Sequence, residues 1–328
     1  AALLAGLIPA AALPALADDL SGVVTRIDDY ISVSVSKANG GFTIRTVEGD
    51  RLKKSDNDKN LLYHDGRYDT SFVSFQVGSK KYLFGGKYPG STLAVTEENG
   101  TVKAVWTVDG LTFTQSISLT NTSSNESGMV GISLSVANAT GAAVPVKARI
   151  LYDTALGGQD FGYYQCSGAT IESELVLDGA ANIPAQLYAV DDPYSPSVAA
   201  YSVSSGTVKP YRAAFGHWSH LASTLFDFDP INTLYFTNTR SEYMTADSAC
   251  ALYFDLGDVA DGGEAALGTF YGVFSNHATP ASDSVAVNLT APVRLTLNDA
   301  GDDFLRETGA VGAAHFSVTV DFTSIAAE

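Results

Sequence analysis

Two carboxylates and two phenols crowd into one stretch of this chain, LYDTALGGQDFGYY, as Asp153, Asp160, Tyr163 and Tyr164. The Gly157-Gly158 pair between the acids predicts a turn after the ILYDT run. Aromatic faces beside carboxylates can grip a sugar, with the ring on C–H faces and the acid taking hydroxyl protons. Two acids at the right separation could also hydrolyse a glycosidic bond. The plainer alternative is that Asp153 caps a turn and the tyrosines cover a sheet. A second cluster is FGHWSH, with His217, Trp218 and His220. An exposed Trp218 flanked by imidazoles would make a sugar platform, and a histidine there could act as a general acid. The alternative is Trp218 in the core with the histidines capping a loop. Two histidines three residues apart could also hold a metal, but no third ligand is visible.

A third cluster is KKSDNDKN, where Asp56, Asp58 and Asn60 place oxygens at alternate positions, as calcium loops do. The EF-hand pattern then fails, because Leu61 stands where Gly is expected and Arg67 where a bidentate Glu belongs. Ca2+ here is an expectation set against an ordinary solvated loop. Asp299, Asp302 and Asp303 form a weaker acidic group. No G-x-S-x-G elbow, H-E-x-x-H pair or P-loop is present.

The elements that must carry these residues read as strands. YISVSVS (30–36), FVSFQV (72–77), TVKAVWTV (101–108), LTFTQSISL (111–119) and MVGISLSV (129–136) alternate apolar with polar or small residues. That period of two predicts half-buried strands. Asn99-Gly100 and Asp109-Gly110 predict tight hairpin turns. Residues 217–225 alone suggest a short helix. The expected fold class is all-β, a large antiparallel β-sandwich. Sequons at Asn99, Asn121, Asn125, Asn138 and Asn288 fall near expected hairpin tips.

The chain has 328 residues and a net charge of −17. Such acidity repels phosphate backbones, which excludes nucleic acid as a natural partner and makes anionic lipid a poor one. Residues 1–17, AALLAGLIPAAALPALA, read as the remnant of a secretory signal peptide, with Ala15 and Ala17 at A-x-A spacing. The mature chain is then expected to begin near Asp18, outside the cytoplasm and not inserted in a membrane. In that compartment Cys166 and Cys250 could form a disulfide; two separate thiols are the alternative. A polar connector near 276–282 divides a main domain, 18–278, from a strand-rich module, 279–328, that resembles the opening of an Ig-like domain.

The order of segments GFTIRTVEGD…LLYHDGRYDTSFVSFQVG, a Trp-bearing hairpin, VKARILYDTALGGQDFGYYQCSG, FGHWSHLASTLFDF and DSACALYFDLGDVADGGEAALGTFYGVF resembles a region of secreted and cell-surface bacterial and archaeal proteins. The resemblance covers about residues 20–278. It implies the β-supersandwich fold of galactose mutarotases and of sandwich domains in carbohydrate-active enzymes. It transfers no activity: a mutarotase needs a His acid and a carboxylate base facing one pocket, and those motifs are not matched residue by residue. The expected function is a non-catalytic extracellular module for adhesion, scaffolding or glycan recognition. A sugar-processing enzyme of the same fold is the alternative, and a layer-forming structural protein a third.

Overall fold

The computed structural model describes residues 22–50, 54–121, 128–166, 169–184, 186–194, 196–205, 208–237 and 245–273, with short strand segments between 279 and 322. The signal-peptide reading, residues 276–278 of the connector and the Asp299–Asp303 group lie outside the described residues.

In chain order the first strands are β1 (Val23–Ile27), β2 (Ile31–Ser36) and β3 (Phe42–Thr46), followed by β4 (Phe72–Val77) and β5 (Lys80–Leu83). Next come β6 (Thr92–Glu98), β7 (Thr101–Val108), β8 (Leu111–Asn121), β9 (Gly128–Asn138) and β10 (Val144–Thr154). Then follow β11 (Tyr163–Cys166), β12 (Ala169–Ile171), β13 (Leu175–Asp178), β14 (Gln186–Val190), β15 (Ala199–Ser205) and β16 (Pro210–His217). The helix α1 (Trp218–Ala222) precedes β17 (Ser248–Val259) and β18 (Glu264–Val273). Every strand pairing among the described residues is antiparallel. The all-β expectation holds.

Two large sheets make the sandwich. One has nine strands in the order β12-β11-β14-β15-β18-β9-β8-β7-β6. The other has six, β13-β16-β17-β10-β4-β5. β1–β3 form a small third sheet, tied to the larger one by an Arg26–Glu97 ion pair. β19 (Thr279–Ser282), β20 (Val285–Thr290) and β23 (Ser317–Phe322) pair with one another, as do β21 (Thr296–Leu297) and β22 (Phe304–Leu305).

The hairpins follow their turn chemistry. Asn99-Gly100 joins β6 to β7 with φ of 50° and 81°, and Asp109-Gly110 joins β7 to β8 with 50° and 79°. Both pairs have φ > 0 at the two central residues, which the right-handed twist of the strands favours. Along β7, Val102, Ala104, Trp106 and Val108 are buried and the residues between them are half-buried. The inner faces of the two sheets meet through rings. Phe75 of β4 lies 4.2 Å from Phe113 of β8, and Tyr152 of β10 stacks on Tyr271 of β18 at 4.8 Å.

The six-stranded sheet is buried on its outer face too. Inner positions Ala148, Ile150 and Tyr152 of β10 join the main core. Outer residue Leu151 joins a second cluster with Ala214, Leu221, Phe226, Phe228, Ala249, Ala251 and Tyr253. The cover is α1 and the loop that follows it. Ser74 Oγ donates to the Leu225 carbonyl, Lys81 pairs with Asp227, and Arg149 donates to Leu221 O and Thr224 O at 2.7 Å each.

One open alternative is decided and two expectations are corrected. Cys166 sits in the nine-stranded sheet and Cys250 in the six-stranded one, and no disulfide joins them. Tyr164 is not a presented phenol. Its inward register puts the ring against Phe215 at 5.0 Å, and its hydroxyl meets Thr154 Oγ1 at 2.8 Å. His217 is not part of an exposed platform: it is 3% exposed and serves as the N-cap of α1.

Candidate functional site

The functional side chains stand on the covered outer face of the six-stranded sheet, toward either end of α1. Arg149 and Asp153 share that face on β10, four residues apart, or about 13 Å along a strand. Arg149 lies beneath the C-terminal end of α1 and Asp153 near its N-terminal end.

Near the N-terminal end, Asp153, Asp160 and Asp247 offer carboxylate oxygens all within 4.8 Å of one another. Asp153 is the penultimate residue of β10, whose last residues pair with the start of β17 as Asp153 with Ala249 and Thr154 with Ser248. That register brings Asp247, just before β17, beside Asp153. The Gly157-Gly158 turn then returns Asp160 to the same place, where Ser248 N–H donates to its carbonyl at 3.3 Å. Gly162 N–H donates to Ser248 Oγ at 2.8 Å and locks the return. Asp153 is 3% exposed. Its Oδ1, and that of Asp160, are buried without a hydrogen-bond partner. Burial pushes all three carboxyls up; repulsion within the trio adds to it for Asp153 and Asp247, and the Asp65 charge adds to it for Asp160. Asp160 rises to about 6, Asp247 to about 7, and Asp153 well above the usual carboxylate range.

Trp218 stands beside this cluster. Its indole N–H donates to Thr70 O at 2.9 Å, and its backbone N–H donates to Asp247 O at 3.4 Å. The ring is half-buried against the outer apolar cluster. His217 uses both ring nitrogens: Nε2 donates to Thr245 O at 2.9 Å, and Nδ1 faces Ser219 Oγ at 2.9 Å. It therefore positions α1 and has no nitrogen left for proton transfer. Tyr163 is half-buried, edge-on to Phe161 at 5.7 Å.

The KKSDNDKN run is committed to its own fold. Asp56 is 1% exposed and its Oδ2 accepts from Asp50 N–H at 3.1 Å. Asp58 points into solvent and pairs with Arg45. Asn60 makes backbone bridges to Arg45 and Gly157. These three residues face different surroundings.

At the other end of α1 lies a cleft of about 410 Å3, within the usual range of small-molecule sites. Its floor is the outer sheet face and its wall the 220–229 segment. A β-bulge makes it. Pro210 pairs with Phe254 and Arg212 with Tyr253, so Tyr211 is the extra residue, and the kink turns both Tyr211 and Arg212 into the cleft. Tyr253 lies between two guanidinium groups, Arg149 at 5.5 Å and Arg212 at 5.6 Å from its ring. Gln76, Asp227 and Asp229 add planar polar groups.

His220 also lines the cleft. Its Nδ1 sits 2.9 Å from both oxygens of Glu174. Glu174 is 1% exposed and also accepts from Ile231 N–H at 2.8 Å and His217 N–H at 3.3 Å. A carboxylate only accepts, so Nδ1 donates and Nε2 carries the lone pair in the neutral ring.

Of the residues singled out in the sequence, the fold brings Asp153 and Asp160 together and puts Trp218 next to them. None of the six sugar-site candidates lines the cleft. Sequence reasoning missed Asp247, Glu174, Tyr211, Arg212 and Tyr253. The faint signal was a Tyr-Arg step after Pro210 in an otherwise alternating strand.

No family model and no curated protein matches the chain. Solved structures similar to it include a galactose mutarotase-like protein from Lactobacillus casei ATCC 334, with 9% identity over 77% of this chain and 100% of that one at a TM-score of 0.43. A galactose mutarotase related enzyme from Lactobacillus acidophilus shares 9% identity over 77% and 97% at 0.37. A 4-alpha-glucanotransferase from Thermococcus litoralis shares 10% identity over 78% and 38% at 0.42. Likenesses this loose assign no activity.

Proposed function

We propose that this chain is a non-catalytic glycan-recognition module of an exported protein, binding its ligand in the cleft between α1 and the outer face of the six-stranded sheet. The observation that carries the reading is the cleft's lining: the rings of Tyr211 and Tyr253, the latter beside two arginines, with Gln76, Arg212 and Asp229 at the rim. Apolar ring faces suit sugar C–H faces, and planar polar groups suit hydroxyl pairs. The two arginines are already fixed by protein, Arg149 on two carbonyls and Arg212 on Phe228 O at 2.9 Å. Such preorganisation favours binding. Export is supported by the leader-like composition of residues 1–17 and by the strong acidity of the chain. An Ig-like module over 279–328, alongside the binding domain, belongs to the same proposal.

The second reading, a sugar-processing enzyme, is favoured by one observation: His220, oriented by the buried Glu174, faces the cleft as an acid or base would. Of the two acids lining the cleft, Asp227 is paired with Lys81, which leaves Asp229 at the exposed rim as the carboxylate that could serve beside His220.

The test is a glycan array with the full chain, followed by calorimetry on the strongest hit. Tyr211→Ala lowers affinity at least tenfold, while Trp218→Ala leaves it within twofold. His220→Asn separates the readings. Under the binding reading it changes affinity modestly and there is no turnover to lose. Turnover of the bound sugar that vanishes in His220→Asn would establish the enzyme instead.

A further inference from the structure

We propose that Asp153, Asp160 and Asp247 form a divalent-cation site of calcium type at the N-terminal end of α1. Three observations on geometry carry it. Their carboxylate oxygens lie within 4.8 Å of one another, a spread that one ion with bonds of about 2.4 Å can bridge. The most deeply buried of them, Asp153, has an Oδ1 with no hydrogen-bond donor, and so does Asp160. A carboxylate oxygen shut away from water without a donor is costly, and a cation bridging the trio is the partner that removes the cost for Asp153 and Asp160 at once.

The ligand set is all oxygen, which suits a hard cation, not zinc or copper. Asp160 and Asp247 are partly exposed, so water can complete the six to eight ligands calcium takes. The nearby positive charge is already matched: Arg67 Nε donates to both oxygens of Asp65, at 3.1 and 2.9 Å. The ligands sit at one end of β10, at the entry to β17 and on the loop between β10 and β11. A bound ion would cross-link these to the Asp247 carbonyl that accepts from Trp218 N–H.

The test uses the full chain stripped with chelator. Calcium titrated by calorimetry is expected to bind with a stoichiometry near one and to raise Tm. Terbium at the site is expected to luminesce on indole excitation, be displaced by calcium, and lose sensitisation in Trp218→Phe without loss of calcium binding. Asp160→Asn and Asp247→Asn, at partly exposed positions that a neutral amide fills, are expected to weaken calcium at least tenfold while keeping the native circular dichroism spectrum. Asp58→Asn, in the D-x-D-x-N run, is expected to leave binding unchanged. The proposal is overturned by no heat and no Tm shift with calcium, magnesium or manganese. It is equally overturned by binding that survives Asp160→Asn and Asp247→Asn, or by binding abolished in Asp58→Asn.

Discussion

The two ends of α1 face one sheet surface with opposite chemistry. The C-terminal end closes a cleft whose charged groups are largely held by protein. Arg149 binds two carbonyls, Arg212 a third, Asp227 a lysine, and His220 a buried carboxylate. The N-terminal end overlooks three carboxylates crowded together, two of them with a buried oxygen that lacks a donor. The cleft's unpartnered groups, Arg149 Nε, Arg212 Nε and the Tyr253 hydroxyl, can all donate, which suits a neutral ligand rich in hydroxyls. A site with like charges and orphaned acceptors calls for a counter-ion. The kind of group left unpartnered, donors in the cleft and carboxylate acceptors at the acidic end, separates a sugar site from a cation site.

This contrast can be broken from either side. The largest effect is expected from Arg149→Ala. It leaves Leu221 O and Thr224 O without donors beneath α1, each costing about 1–3 kcal/mol. Chemical denaturation should register a loss of about 2–5 kcal/mol, and the cleft should lose its ligand. A neutral result would show that the cover is held by apolar contact alone. Next in size is chelation. If the acidic end holds calcium, saturating the protein at 100 times Kd stabilises it by about 2.7 kcal/mol. Adding EDTA should therefore lower Tm, and the fall should disappear in Asp247→Asn.

A smaller effect is expected from Asp160→Asn in chelator at pH 7. Folded Asp160 titrates near 6 instead of 3.8, so its charge opposes folding at neutral pH. Removing that charge should stabilise the chelated protein by about 1 kcal/mol, after discounting for the solvent it reaches. The same groups set a pH slope. Carboxyls raised in the folded state bind more protons than in the unfolded chain, so the stability they contribute is complete below about pH 3.8. It is lost as pH rises through about 6 and 7, where Asp160 and Asp247 ionise. Asp65, Arg67 and Asp153 face these groups and shape the curve. Melts in EDTA between pH 4 and 8 should show this decline, and calcium should flatten it. Smallest of all, Asp229→Asn at the exposed rim should leave stability within about 0.5 kcal/mol and weaken glycan binding.

How much of this was legible along the chain depends on distance. The hairpins were, because alternation and a left-handed Asn-Gly or Asp-Gly pair act over neighbouring residues. Asp153 and Asp160 were named together because a glycine turn lies between them. Asp247 was not, because only the pairing of β10 with β17 brings it there. His217 and Trp218 were read as a platform because their types suit one. Their burial depends on β16 running directly into α1, which folds back over the sheet. Tyr211, Arg212 and Tyr253 meet only through a bulge in a strand pairing. The Asp56–Asn60 run matched a ligand spacing, yet Asp56 is drawn inward and Asp58 is held by Arg45.

The most direct test of the glycan reading is resonance mapping of the bound sugar. The strongest glycan-array hit is titrated into 15N-labelled protein, and side-chain N–H signals are followed. The account predicts that the Arg212 Nε–H and His220 ring signals move with the sugar while the Trp218 indole signal stays still. Movement of Trp218 alone, with the cleft signals unchanged, would contradict it.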